Sequence, residues 1–203
     1  MLDTFLRPII DPPLNRIAKS IKILPLSPNL LTLSGLIIGL ISCYAAYTQF
    51  YGIALILLIL NRLCDGLDGP LARAKNNSSD FGGYLDIISD FMIYAGLPFS
   101  VAVGLGTIES AIAGCFVLFS IVMAGTSFLA YAIICAKKGM ETHQQGRKSF
   151  YFSNGLMEGT ETIIYLVLIC VLPGYFVLLS YIFGILCFLT AVIRVYNARH
   201  FFQ

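Results

Sequence analysis

Residues 30–50 carry no charged side chain and are almost wholly apolar. Five further apolar runs follow at about 51–75, 82–104, 108–136, 155–172 and 174–197, the first of these meeting Arg62 and Asp65. A helix of ~20 apolar residues crosses a hydrocarbon layer ~30 Å thick. A chain of 203 residues holds at most about six or seven such helices and no sizeable extramembrane domain. Composition agrees: 58% of residues are hydrophobic and 12% charged, against about 45–50% and ~25% in soluble domains. Together these exclude a water-soluble globule, a disordered chain and a basic nucleic-acid binder, so no nucleic-acid partner is expected.

The 13 Lys and Arg residues segregate. Arg7, Arg16, Lys19 and Lys22 precede the first run. Arg62, Arg73 and Lys75 lie between the second and third, and Lys137, Lys138, Arg147 and Lys148 between the fourth and fifth. Arg194 and Arg199 lie at and beyond the end of the sixth. The connections near 48–52, 104–109 and 172–175 hold none. Six spans place every basic residue on one side, and the positive-inside rule then puts both termini in the cytoplasm. Five or seven spans would break the pattern. The expected fold is therefore all-α, a bundle of six transmembrane helices in one membrane domain over 28–203.

Residues 1–27 differ. They carry Pro8, Pro12, Pro13 and Pro25, with Leu14, Ile17, Ile21 and Leu24 at helical spacing. This predicts an amphipathic helix on the cytoplasmic membrane surface. An early Asp3 and the lack of a continuous apolar core argue against a signal peptide. The six cysteines, Cys43, Cys64, Cys115, Cys135, Cys170 and Cys187, lack metal-ligand spacing and read as small packing residues.

Five of the seven aspartates, Asp65, Asp68, Asp80, Asp86 and Asp90, fall within 26 residues. Residues 51–61 provide only about 16 Å of helix, at ~1.5 Å per residue. The second helix must therefore continue into the charged stretch, and the third begins with Asp86 and Asp90. Carboxylates at headgroup depth are costly unless paired or metal-bound. Asp65 and Asp68 are spaced i, i+3, and Asp86 and Asp90 i, i+4, so each pair shares a helix face. The short polar link 75–79 makes the helices antiparallel neighbours, on which four carboxylates converge. A salt-bridge network with Arg62 and Arg73 is the plainer alternative, but two arginines do not balance four aspartates. All-oxygen ligands favour a hard ion, Mg²⁺ or Mn²⁺. Asp80, at the start of the third helix, suits the helix dipole instead. Arg73, one turn beyond Gly69, fits a phosphate clamp. Tyr84, Tyr94 and Tyr196 read as packing or interfacial residues.

Asp65-x-x-Asp68-Gly69-x-x-Ala72-Arg73, eight residues, then Gly82-x-x-x-Asp86-x-x-x-Asp90 resembles the signature of the CDP-alcohol phosphotransferases at all eight fixed positions. The entry Pro28-Asn29-Leu30-Leu31-Thr32 to the first span is similar to the family's as well. Leu60-Asn61-Arg62-Leu63 and Glu158-Gly159-Thr160-Glu161-Thr162 resemble a bacterial inner-membrane subgroup. The resemblance implies transfer of a phosphatidyl group from a CDP-linked lipid, in bacteria most often CDP-diacylglycerol, to a small alcohol, with release of CMP, in phospholipid synthesis. It implies that Asp65, Asp68 and Asp86 hold two metal ions. Asp90 would be the base and would contact one metal. Gly69 and Arg73 would hold the CDP moiety, with Asn29, Thr32 and Ser79 near the nucleotide. It also implies a homodimer in the bacterial inner membrane with the site facing the cytoplasm.

The acceptor is less determined. Arg147 and Lys148, with Lys137 and Lys138, suit a phosphorylated acceptor such as glycerol 3-phosphate or an inositol phosphate, although positive-inside topology also accounts for them. Serine or another alcohol is an alternative. Glu158 and Glu161 either line the acceptor pocket or pair with Arg194. A divalent-cation transporter is the rival of a different class. Its acids would need to step across the bilayer, whereas here they cluster at one face, with Glu109 alone near the other.

Overall fold

In a computed structural model describing residues 2–138 and 156–202, every regular element among the described residues is helical. α1 spans Asp3–Ile21, α2 Pro28–Tyr47, α3 Tyr51–Ala74, α4 Asp80–Leu105 and α5 Ile108–Lys137. α6 spans Gly159–Val171, a 3₁₀ turn Pro173–Tyr175, and α7 Phe176–Phe202. Arg147 and Lys148 lie outside the described residues.

The helix ends follow local chemistry. α1 stops at Ile21, short of Leu24, which precedes Pro25 and is pushed away from helical backbone. Pro28 opens α2, where its missing N–H costs nothing. α3 closes with Asn76 in the left-handed region (φ 52°), and the Asn77 N–H reaches back to the Ala72 carbonyl at 2.9 Å. Ser79 caps α4 by accepting from the Gly82 N–H at 3.1 Å, and Asp80 occupies the first turn, as its sequence position predicts. A capping box of Thr107 and Ser110 opens α5.

α2, α4, α5 and the segment Pro173–His200 are long and apolar enough to cross a membrane. α3 is one unbroken helix of 24 residues, about 36 Å long, whose charges run from Arg62, at its middle, to Arg73, near its C-terminus. The expectation that the second apolar run continues helically through Asp65 and Asp68 is met. α6 is shorter than the predicted run, with 13 residues ending just before Pro173.

α2 packs on α3 and α4, α5 on α4 and α7, and α6 on α3, α4 and α7. Leu58, Ile93, Leu97, Val101, Val117, Leu166, Ile169 and Phe176 are fully buried. Small residues allow close approach. A Cβ at Gly39 would overlap the Ile93 side chain and stand 3.0 Å from Asn61 Nδ2. Ile37, Ile41, Ile53, Ile56, Val122, Val192 and Val195 point outward, a belt that suits lipid contact and would be a liability in water.

α1 lies against the charged end of α3. Ala18 is buried and Leu14 packs at Gly66, while Ile9, Ile10 and Ile17 are exposed. One edge of its apolar face is therefore covered by α3, and the other is open. The Lys75 ammonium donates to the Leu24 and Leu26 carbonyls at 2.6 and 2.8 Å, which ties the α1–α2 link to the end of α3.

Candidate active site

The expected direct packing of α3 on α4 is not what the fold shows. Both helices pack on α2, and the charged C-terminal half of α3 and the first turns of α4 meet through their side chains, which brings the acidic cluster together. Asp65, Asp86 and Asp90 each offer one carboxylate oxygen, and these lie within 4.8 Å of one another. Such crowding of like charges is unfavourable without a cation. The three atoms offered are all carboxylate oxygens, a ligand set that fits a hard divalent ion. Asp68 lies one turn further along α3. It is buried, and its Oδ2 accepts from the Thr32 hydroxyl of α2 at 2.5 Å. Thr32, expected near the nucleotide, thus holds a member of the cluster.

Arg62 is the cation within the cluster. Its Nη1 donates to Asp90 Oδ1 at 2.7 Å and lies 3.6 Å from Asp65 Oδ2. The plain salt-bridge alternative paired it with Asp65 and Asp68; the close pairing is with Asp90, across helices. Tyr94, one turn beyond, is not simply a packing residue. Its hydroxyl donates to Asp90 Oδ2 at 3.1 Å, because the i, i+4 spacing puts both on one face of α4. That spacing was visible in the sequence, but an aromatic residue in an apolar run carries no mark of a polar contact.

The residues expected at the nucleotide gather beside the cluster. A Cβ on Gly82 would stand 3.0 Å from Asn29 Oδ1 and 3.2 Å from Ser79 Oγ, so these three residues from two helices meet at one point. A Cβ on Gly69 would stand 3.4 Å from an Arg73 guanidinium nitrogen. Arg73 is exposed and makes no ion pair among the described residues. It lines a cleft of about 200 Å³ together with Asn15 and Lys19 of α1 and with Pro70 and Ala74.

Glu158 and Glu161 open α6. They form a capping box, with Glu161 Oε2 accepting from the Glu158 N–H at 3.2 Å, and Glu161 Oε1 accepting from the Leu2 N–H at 2.8 Å. Arg194, buried at 5% exposure, donates to the Ala124 carbonyl and the Ser127 hydroxyl of α5 at 2.9 and 3.0 Å. Lys138 donates to the Phe202 carbonyl at 3.1 Å. The six cysteines form no disulfide.

Comparison with known proteins follows the same line. The family model described as CDP-alcohol phosphatidyltransferase matches residues 25–196. The chain is 41% identical over 197 residues to the inner membrane protein YnjF of Escherichia coli K12, covering 97% of this chain and 95% of that one. It is 40% identical over 99 residues to the archaetidylinositol phosphate synthase of Pyrococcus horikoshii, covering 49% of this chain and 53% of that protein. Among solved structures, Mycobacterium tuberculosis phosphatidylinositol phosphate synthase (PgsA1) with CDP-DAG bound superposes with a TM-score of 0.71 at 16% identity. The match covers 90% of this chain and 92% of that one, which establishes a shared fold.

Proposed function

This chain belongs to the CDP-alcohol phosphatidyltransferase family, and we propose that it transfers a phosphatidyl group from CDP-diacylglycerol to a small polar alcohol, releasing CMP, in phospholipid synthesis. The observation that carries this reading is the convergence of Asp65, Asp86 and Asp90 from two helices at the charged end of a membrane bundle.

Asp65, Asp68, Asp86 and Asp90 would hold two divalent ions, Mg²⁺ or Mn²⁺. Bound there, the ions would neutralise the diphosphate and the departing CMP. The protein's own residues do the rest. Arg73 and Gly69 receive the diphosphate: the guanidinium contributes charge, and the missing Cβ allows close approach. Asn29 and Ser79 flank the nucleotide beside Gly82. Asp90 takes the proton of the acceptor hydroxyl, whose oxygen bonds to the lipid-bearing phosphorus as the diphosphate P–O bond breaks and CMP leaves. Thr32 fixes Asp68.

The bundle crosses the bacterial inner membrane six times with both termini cytoplasmic, α1 on the cytoplasmic surface and the site facing the cytoplasm. This topology keeps the donor's tails in lipid while its nucleotide meets the polar end of α3. The protein acts as a homodimer. Glu158 and Glu161, at the start of α6, line the acceptor pocket, Arg147 and Lys148 supply charge for a phosphorylated acceptor, and glycerol 3-phosphate is one acceptor that suits such cations.

The test is CMP release from CDP-diacylglycerol by purified protein with Mg²⁺ or Mn²⁺, across glycerol 3-phosphate, serine, inositol, inositol phosphate, choline and glycerol. One acceptor should stimulate metal-dependent release. Asp86→Asn should lower turnover by about 100-fold or more, a loss of several kcal/mol. No metal-dependent release with any acceptor, from protein that still binds CDP, would overturn the reading.

A further inference from the structure

A polar chain that the reaction as described leaves unused runs from α2 to α4. Asn61 is 2% exposed, and its Nδ2 donates to the Gly35 carbonyl of α2 at 2.8 Å. Its Oδ1 accepts from Arg62 Nε at 2.8 Å. The other edge of the same guanidinium meets Asp90 Oδ1 at 2.7 Å. Tyr94 takes Asp90 Oδ2, and the Arg62 guanidinium carbon stands 5.5 Å from the Tyr94 ring centroid. Both oxygens of Asp90 are thereby held, and the holder is itself anchored to a third helix.

We propose that Arg62, locked by Asn61 and assisted by Tyr94, is a positioning residue that aims the Asp90 carboxylate at the acceptor hydroxyl. The inference rests on the reading of Asp90 as the base. The physical argument is rotational. The terminal torsion of an aspartate is broad, so an unrestrained carboxylate presents its lone pairs over a wide arc. Two donors on opposite oxygens remove that freedom. Arginine suits the task because its planar fork serves Asn61 and Asp90 at once. A lysine reaches Asp90 as a point charge and leaves Asn61 Oδ1 without its donor. The fixed charge also offsets one of the three crowded carboxylates. Asn61 accounts for the anchoring, since its neighbour Gly35 brings the α2 backbone within hydrogen-bond reach.

The experiment is steady-state CMP release with CDP-diacylglycerol and the acceptor that supports turnover, for Arg62→Lys, Arg62→Ala, Tyr94→Phe and Asp90→Asn. Arg62→Lys should lower kcat by about 10–100-fold, the cost of a misaimed group. The KM for the donor should stay within about threefold. Tyr94→Phe, which keeps the ring and the Arg62–Asp90 pair, should lower kcat about tenfold. It reports on the network even if the Arg62 variants fail to assemble. Low, non-denaturing guanidinium should partly restore Arg62→Ala and leave Asp90→Asn inactive. Normal kcat in Arg62→Lys and Tyr94→Phe beside an inactive Asp90→Asn would overturn the proposal while sparing the base assignment. A fall in thermal midpoint and a rise in donor KM in step with kcat would also overturn it, since the network would then only clamp helices. Full activity in Asp90→Asn would remove the base assignment and this proposal with it.

Discussion

Thr32→Val removes one buried hydroxyl. The substitution replaces a hydroxyl with a methyl of similar size in a site 5% exposed, so neither a cavity nor a clash is introduced. What is lost is the 2.5 Å bond from Thr32 Oγ1 to Asp68 Oδ2, with the hydroxyl's longer 3.1 Å contact to the Pro28 carbonyl of its own helix. Hydrogen bonds to a charged group contribute about 1.5–3 kcal/mol, and a buried acceptor left unpaired bears its full desolvation penalty. Asp68 is only 8% exposed, so water is a poor substitute. At 1.36 kcal/mol per tenfold, the loss corresponds to roughly 10–100-fold, the range seen when residues supporting a metal ligand are removed. With Asp68 as a ligand, the loss should appear as weaker metal binding. The assay is CMP release against Mn²⁺ or Mg²⁺ concentration. The half-saturating concentration should rise at least about tenfold, and kcat at saturating metal should fall less. An unchanged metal dependence would refute the reasoning and leave Thr32 as a packing residue with an incidental bond.

Two further outcomes follow from the far end of α4 and from its first turn. Gly104→Ala should lower the thermal midpoint in detergent by several degrees, about 1–3 kcal/mol of overpacking. A Cβ there overlaps the Tyr47 carbonyl and stands 3.1 Å from its carbon. Activity per folded molecule should persist, because Gly104 lies about 21 Å along the helix from Asp90. Asp80→Asn, at an exposed first-turn position, should cost about 0.3–1 kcal/mol of helix-dipole stabilisation. CMP release should not change; a large loss would make Asp80 part of the site.

Much of this protein is legible along the chain because its constraints are local or periodic. The i, i+3 and i, i+4 spacings of the aspartates put them on two helix faces. The short link 75–79 pointed to direct packing of α3 on α4, whereas both helices pack mainly on α2 and the acidic faces meet only through their side chains. The turn at Pro173 and the cap at Ser79 are likewise written in single residues. Leu24 misled, since its helical spacing from Ile21 is real while Pro25 ends the helix before it. The role of Tyr94 was hidden because its hydroxyl counts for little in an apolar run until a carboxylate is seen beside it.

The sequence alone determined the helical class, the membrane-type composition and the identity of the acidic cluster, because hydrophobic length, charge segregation and helical period all act along one chain. Only the tertiary structure decided which cation meets which acid. Arg62 is three residues from Asp65 and 28 from Asp90, yet its shorter contact is with Asp90. Asn61 is 26 residues from Gly35 and still reaches its carbonyl. These contacts depend on how α2, α3 and α4 rotate about their axes as they pack. That rotation is set jointly by small residues such as Gly39 and by buried side chains such as Leu58 and Ile93, a balance of close packing that no single segment encodes.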